Sequence, residues 1–389
     1  MSQIHDFLVP DYFPSFQCKI GACRHVCCEG WPVTIPLRDY FRLISVPCSP
    51  DLRRRLDTAL QILPRPENEE YARICPGYDG DCRLRMADGR CQIQVELGED
   101  VLPMVCRLYP RGIRVREDFE CSCANSCEAV PEIFLDHPAP LQFIRVPLSF
   151  DLPKSAERKN IFADAGRGQE IRMYYIRILQ DREQDLPERL MSLGLAMQKI
   201  EKTLQADDHP RIEEILASAP ERYNQMIGDP TQEQFDAGME IAGAMMKQVS
   251  EKSVSVREYG EAALEWFALK DNSIGSYQSA IANFEAVVPN WRVVFEHLLV
   301  NHMFFEQFPF QDRPVPVKDE FLAICAVYTL MRFLSVGWTA VHPTVPDFVD
   351  VCSALFRLIS HTAFDRYAAN LLKQLGCVTP EKVCALVSL

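Results

Sequence analysis

The residues of this chain best suited to chemistry are its cysteines, which are concentrated near the N-terminus. Twelve of the 16 lie between Cys18 and Cys127. The first four fall within eleven residues, with a glycine between the first and the second: Cys18, Cys23, Cys27 and Cys28. Sulfur ligands must come within about 2.3 Å of a zinc or iron ion, so short spacings with tight turns favour a metal site. Adjacent cysteines rarely bind the same ion, so one of Cys27 and Cys28 is expected to bridge, to pack or to serve a second centre.

A second group of cysteines is more widely spaced: Cys82, Cys91, Cys106 and Cys127. Together with Cys121 and Cys123, these exceed the four ligands that one zinc ion or one cluster requires. Two centres, or one centre with additional thiols, both fit the pattern. Disulfides and reduced structural thiols are the alternatives, but a disulfide scaffold is normally a short secreted chain.

The spacing of the cysteines also bears on which metal they bind. Zinc fingers usually use paired C-x2-C knuckles, and the sequence contains no such pair. Uneven spacing and all-sulfur ligands favour an iron–sulfur cluster, with [4Fe–4S] as the preferred form and zinc as the alternative.

Motifs of the common enzyme classes are missing from the sequence. It contains no P-loop, no Gly-x-Ser-x-Gly and no His-Glu-x-x-His, and Gly166-Arg-Gly168 follows no predicted strand. The C-x3-C-x2-C pattern of radical-generating clusters is also incomplete, since no third cysteine follows Cys23 and Cys27 at that spacing. Motifs alone therefore assign no reaction.

Charge and hydropathy limit the partners. A net charge of −13 argues against nucleic acid and against an anionic membrane surface. The N-terminal residues lack the cationic start and apolar run of a secretory signal. The most apolar stretch, Phe321 to Trp338, is interrupted by Arg332. Because a membrane span needs about 20 apolar residues, this stretch predicts a buried core helix.

The pattern along the chain divides it into two predicted domains. Residues 1–150 are rich in proline and glycine, with short strands expected at Trp31–Ile35 and Gly112–Val115 and one or two short helices between Arg38 and Leu63. The polar stretch from Asp151 to Gly168 is interpreted as a connector. Apolar residues then recur at i, i+3, i+4 and i+7. Helices are predicted over 171–179, 186–204, 210–218, 232–250, 255–270, 290–306, 318–336, 346–360, 362–375 and 379–388. The predicted fold is mainly α: an irregular cysteine-rich metal-binding module (1–150) followed by an all-helical domain (169–389).

Several segments of the chain resemble the flagellin lysine-N-methylase family. The cysteine segments that carry the likeness are Cys18-x4-Cys23-x3-Cys27-Cys28-x-Gly-Trp, Cys82-x8-Cys91-Gln-Ile-Gln, Cys106-Arg-Leu-Tyr-Pro-Arg111 and Ser126-Cys127. Further segments that look similar are Ile178-Leu-Gln-Asp-Arg182, Leu186-Pro-Glu-Arg189 and Leu298-Leu-Val-Asn301-His. The chain departs from the family pattern at Arg83-Leu-Arg85 and in the additional Cys48, Cys75, Cys121 and Cys123.

The resemblance implies a cytoplasmic enzyme that transfers a methyl group from S-adenosylmethionine to lysines of flagellin or another protein substrate. It also implies eight metal-binding cysteines: Cys18, Cys23, Cys27, Cys28, Cys82, Cys91, Cys106 and Cys127. Tyr109 follows one of them closely and is the candidate catalytic residue, since a lysine must lose a proton before it attacks a methyl sulfonium. Arg107 and Arg111 are candidates for holding the donor's carboxylate, although they could instead neutralise a cluster. A non-catalytic or redox metal-binding protein remains the alternative function.

Overall fold

The computed structural model describes residues 4–25, 27, 33–78, 80–115, 118–150, 167–228, 230–271, 273–309 and 315–389. These residues form two compact units. The first unit is Ser15–Gly112, with Ser149 and the residue after it. The second combines Ile4–Pro14 and Ile113–Leu148 with the helical part that follows. Cys28 lies outside these ranges. The connector predicted between Asp151 and Gly168 also lies outside them, except for its last two residues, so the predicted domain boundary stays a prediction.

The first unit is built from short elements around a small sheet. They are β2 (Val33–Ile35), α1 (Leu37–Ser45), α2 (Pro50–Ala59), β3 (Leu60–Ile62), β4 (Ala72–Ile74), α3 (Gln92–Leu97) and α4 (Met104–Leu108). The strand order is β2-β4-β3, and both pairs are antiparallel. One or two short helices were predicted between Arg38 and Leu63, and the structure has two, α1 and α2. The unit is more regular than predicted, because its short elements share a continuous hydrophobic cluster.

A four-stranded sheet lies almost entirely in the second unit. Its strands are β1 (Ile4–Pro10), β5 (Arg111–Val115), β6 (Phe119–Cys123) and β7 (Phe143–Ser149), in the order β5-β6-β1-β7, and α5 (Ala129–Leu135) follows β6. Strand β1 pairs with β6 in parallel, with Leu8 opposite Glu120. A parallel pair needs a long connection between its strands. Here that connection contains Ser15–Gly112, the long segment of the first unit.

Every described element after residue 167 is a helix. The helices are α6 (Gly168–Leu179), α7 (Leu186–Gln205), α8 (His209–Ala217), α9 (Gln232–Val249), α10 (Val254–Leu269), α11 (Ile274–Val287), α12 (Trp291–Phe305), α13 (Val317–Thr339), α14 (Val345–His361), α15 (Phe364–Gln374) and α16 (Pro380–Val387). Ten of them match the predicted helices within a few residues, and α11 was not predicted. Helix α7 begins as expected from its sequence, with Pro187 in the first turn and a capping box between Asp185 and Glu188. The fold is therefore mainly helical, with a small strand region near the N-terminus.

Helix α13 forms the centre of the helical part. It packs against α7, α10, α11, α14, α15 and α16, and a helix that is apolar on all sides is normally buried in this way. Among the described residues it is also the one helix long and apolar enough to cross a membrane, and 83% of its apolar window is buried inside the protein. Arg332 is accommodated there because its guanidinium lies over the Trp291 ring, 4.9 Å from the centroid, and donates to the Tyr328 hydroxyl. The predicted buried core helix is confirmed.

Candidate metal centre and adjoining loop

Three of the predicted ligands, Cys82, Cys91 and Cys106, pack against one hydrophobic cluster in the first unit. Its buried members are Ile35, Leu43, Leu52, Leu56, Ala59, Ala72, Ile74, Leu84, Ile93 and Leu102. Two isolated β-bridges, Pro76 with Cys82 and Arg85 with Cys91, fix the backbone at two of the cysteines. The structure therefore brings these three residues, which are up to 24 positions apart in the sequence, to the surface of one core.

A buried carboxylate fixes the segment that leads into Cys106. Asp39 is 1% exposed, and its Oδ2 accepts from the Met104 backbone N–H at 2.7 Å, at the start of α4. Arg42 donates to the other oxygen of Asp39 and to the Leu102 carbonyl, both at 2.8 Å. The sequence analysis missed this clamp. The Asp-x-x-Arg spacing on α1 was visible, but the partner segment lies about 65 residues away.

We expect Asp39→Asn to destabilise the first unit by about 1.5–3 kcal/mol, the usual worth of hydrogen bonds to a charged group. The amide can still accept from Met104, but it cannot pair with the Arg42 guanidinium. Urea unfolding measures the loss. Arg54→Ala serves as the control, since Arg54 is 78% exposed and its guanidinium pairs at 3.3 Å with Asp51, whose side chain is 53% exposed. Equal losses in the two variants would contradict a role for the clamp.

The first cysteine motif lies beside the segment that leads into Cys91. Gly21 and Gly89 approach each other so closely that a methyl group built on Gly89 would lie 2.7 Å from the Gly21 carbonyl oxygen. Cys18 is exposed, and its sulfur accepts from the Ile20 backbone N–H at 3.4 Å. Within the same motif Cys23 is half-buried and Cys27 is exposed.

Cys127 belongs to the second unit, where it follows β6. The nearby polar groups form a buried network around Tyr12, whose hydroxyl donates to Asn301 Oδ1 at 2.8 Å and accepts from the Cys123 backbone N–H at 3.1 Å. Asn301 donates to the Cys123 carbonyl at 2.8 Å and to Asn125 Oδ1 at 2.6 Å. Burial raises the pKa of the Tyr12 hydroxyl well above its ordinary value. This tyrosine therefore acts as a neutral structural hydroxyl.

The arrangement of the described side chains can be compared with what a metal requires. In the ranges that the structure describes, no group of three or more His, Cys, Asp or Glu side chains is positioned to hold a metal ion. Zinc and iron–sulfur centres require three or four converging ligands. The described thiols alone thus do not fit such a centre, and the iron–sulfur cluster stays a prediction from the sequence.

The three residues predicted to serve methyl transfer lie at the end of α4 and just beyond it. Arg107 is in the last turn, Tyr109 follows that turn with its backbone N–H bonded to the Val105 carbonyl at 3.1 Å, and Arg111 begins β5. The Arg111 guanidinium lies over the Phe16 ring, 5.3 Å from the centroid. All three residues of the candidate set are half-buried. The structure fixes their backbone positions, and their roles in methyl transfer stay predictions.

In the helical part, two of the family-like segments meet at one buried carboxylate. Arg182, which ends the first segment, and Arg189, which lies in the second, bond to Glu296 at 2.8 Å and 2.7 Å. The third segment follows directly along α12, where Asn301 joins the Tyr12 network. These residues hold helices α6, α7 and α12 together, so the likeness in this region reflects packing of the helical part.

Comparison with known proteins agrees with the sequence resemblance. Residues 172–386 match the model of the FliB lysine N-methylase C-terminal domain. The chain is 28% identical over 134 residues to a lysine-N-methylase of Salmonella typhimurium (strain LT2) and 25% identical over 138 residues to one of Salmonella choleraesuis (strain SC-B67). Each alignment covers 33% of this chain, which spans only about a third (32%) of either relative.

A third relative is the flagellar biosynthetic protein FliU of Salmonella muenchen, which is 27% identical over 134 residues. That alignment covers 33% of this chain and 76% of the relative. No solved structure matches the chain. The family model covers more than half of the sequence and includes every helix from α7 to α15. The chain therefore belongs to the FliB lysine N-methylase family.

Proposed function

We propose that this protein transfers methyl groups to lysine side chains of a protein substrate, with S-adenosylmethionine as donor and flagellin as the preferred substrate. The observation that carries the proposal is the family match over residues 172–386. The printed names of the relatives, two lysine-N-methylases and a flagellar biosynthetic protein, support the reaction and the substrate class. We place the protein in the cytoplasm, where the donor is available.

The direct test is incubation of the anaerobically purified protein with flagellin and methyl-labelled S-adenosylmethionine. We expect label on lysine side chains, identified by mass spectrometry of the digested substrate. Flagellin in which the lysine amines have been acetylated is the control, because an amide nitrogen is a poor nucleophile. Label that appears equally on acetylated flagellin would contradict lysine as the methyl acceptor. Label on none of the tested proteins would favour the non-catalytic or redox function.

We further propose that the cysteine motifs bind an iron–sulfur centre, on the support of their types and spacing. Protein purified without oxygen is expected to contain iron and sulfide, and Cys91→Ser or Cys106→Ser should lose most of both, because ligation contributes to the folding of such sites. Cys352→Ser is the control, since Cys352 is fully buried in α14 and burial raises the pKa of its thiol. Stoichiometric zinc without iron would contradict the iron–sulfur assignment.

For the methyl donor we propose the loop Arg107 to Arg111, in which two guanidinium groups suit a bidentate carboxylate. Arg111→Ala is expected to weaken donor binding by roughly tenfold or more, since a hydrogen bond to a charged group is worth about 1.5–3 kcal/mol. Isothermal titration with S-adenosylmethionine measures the effect. The matched control is Arg114→Ala, another β5 arginine placed over a phenylalanine ring, that of Phe305. Unchanged donor affinity in Arg111→Ala would place the donor elsewhere.

A further inference from the structure

Two glycines in the first unit lie at equivalent places in the two cysteine motifs. Gly21 separates Cys18 from Cys23, and Gly89 lies two residues before Cys91. Both have φ of +87°, in the left-handed region that favours glycine. Conformation is therefore one reason for glycine at both positions.

Close approach of the backbone is the second reason. A methyl group at Gly21 would lie 2.7 Å from Arg90 Cα and 2.9 Å from the Arg90 amide nitrogen. A methyl group at Gly89 would lie 2.7 Å from the carbonyl oxygen of Gly21. These neighbours are backbone atoms, so no side-chain rotation can relieve the overlap.

The backbone on both sides of this contact is held by its own hydrogen bonds. Met86 N–H donates to the Arg90 carbonyl at 2.8 Å, and Gly89 N–H donates to the Met86 carbonyl at 3.0 Å. The Arg90 guanidinium pairs with Asp88 at 2.7 Å. In the other loop, Ala22 N–H donates to the Lys19 carbonyl at 3.1 Å. Two tight turns thus meet, and neither can yield without breaking its own bonds.

We propose that Gly21 and Gly89 form a glycine interlock, in which the two backbones fit against each other and hold the loop of Cys18 and Cys23 against the segment that leads into Cys91. The two motifs then form one continuous thiol-bearing surface. The glycines are positioning residues for these cysteines. The role of the joined thiols rests on the proposed function, whereas the interlock itself does not.

The chain provides matched controls that separate contact from conformation. Gly80 and Gly98 have φ of +85° and +87°, but a methyl group on either would meet nothing within 4 Å. Substitution by alanine therefore causes similar backbone strain at all four glycines. Only Gly21→Ala and Gly89→Ala also break the interlock.

Two measurements follow the opening of the loops in the full-length protein: the rate of tryptic cleavage after Arg90 and the rate of Cys91 alkylation by N-ethylmaleimide, each read by mass spectrometry. We expect Gly21→Ala and Gly89→Ala to raise both rates by roughly tenfold or more, because the locally open state becomes more populated. Gly80→Ala and Gly98→Ala should stay within about twofold of the wild type, since strain at those sites does not separate the loops. Similar rates in all four variants would overturn the interlock.

The double variant provides an independent criterion. Because each single substitution already separates the loops, Gly21→Ala combined with Gly89→Ala should raise the two rates no further than one substitution does. If the increase in rate in the double variant equals the product of the two single increases, the two glycines act separately and the proposal is overturned. If a variant does not fold, hydrogen exchange of the wild type decides: the amides of Ala22 and Gly89 should become exposed in one common opening, and separate openings would overturn the interlock.

These readouts require neither a metal nor a methyl donor. An interlock response in a protein that shows no methyl transfer would count against the proposed function and leave the interlock in place. Methyl transfer in a protein whose four glycine variants behave alike would support the proposed function and overturn the interlock.

Discussion

Replacing Glu296 with glutamine is expected to lower the free energy of unfolding of the helical part by about 3–5 kcal/mol, the usual cost of removing one partner from a buried ion pair. Glu296 is 1% exposed and bonds to the Arg182 and Arg189 guanidiniums at 2.8 Å and 2.7 Å. Glutamine keeps the shape of the side chain but leaves the buried Arg189 cation without a counter-charge. Urea unfolding followed by circular dichroism measures the loss.

The control for this prediction is an exposed ion pair elsewhere in the helical part. Glu214 pairs with Arg211 at 2.6 Å, and both side chains are more than half exposed. Exposed pairs contribute at most about 1 kcal/mol, so Glu214→Gln should have a small effect. A loss in Glu296→Gln no larger than in Glu214→Gln would show that the two arginines do not depend on this carboxylate.

The second large effect concerns pH and a single carboxyl group. Glu320 lies in the first turn of α13 and is 1% exposed. Burial, followed by the nearby carboxylates of Asp365, Asp319 and Glu306, raises the pKa of Glu320 to about 9 from 4.5. Between these two values the folded protein keeps a proton that the unfolded chain releases, so this group lowers stability as pH rises from about 4.5 to about 9.

Glu320→Gln cannot ionise and removes this dependence. We expect the variant to be more stable than the wild type by roughly 3–5 kcal/mol at pH 8 and by less than about 1 kcal/mol at pH 5, at 1.36 kcal/mol per pH unit. Urea midpoints at the two pH values provide the comparison. A stability difference that does not change with pH would contradict the raised pKa.

Buried histidines make the stability of the wild type increase with pH at lower pH, which is opposite to the effect of Glu320. The prediction is therefore stated as a difference in stability between Glu320→Gln and the wild type. Burial lowers the pKa of His297 and His302 to about 4. The unfolded chain therefore binds more protons than the folded protein between about 4 and 6.5, and stability falls as pH drops through this window. Both proteins carry these histidines, so their contribution cancels.

The sequence was sufficient to predict those helices whose large apolar residues recur along one face. Helices α7, α12 and α13 have large side chains at helical spacing, and they were predicted within a few residues. Helix α11 was missed because its buried face consists of Tyr277, the small Ala280 and Phe284, so few large residues show the period. Helices α3 and α4 are one or two turns long and depend on contacts with other segments, which a local pattern does not contain.

The same distinction applies to the candidate site. The types and spacing of the cysteines were evident from the sequence, and three of them pack against one hydrophobic core. The groups that hold them in place were not evident: the Asp39 clamp acts on a residue 65 positions away, and Gly21 meets Gly89 across 68. Such pairs are set by tertiary contacts, and a single sequence carries no record of which distant residues will meet.

The parallel pairing of β1 with β6 has a consequence for synthesis of the chain on the ribosome. Ile4–Pro10 leaves the exit tunnel first, but its partner Phe119–Cys123 follows only after more than a hundred further residues. At about 5–20 residues per second, the first strand has no partner for roughly 5–20 s. During that time Ser15–Gly112 has emerged in full and can complete its own core. The order of translation thus favours completion of the cysteine-bearing unit first, and the apolar residues of β1 are a site where a chaperone could bind the nascent chain.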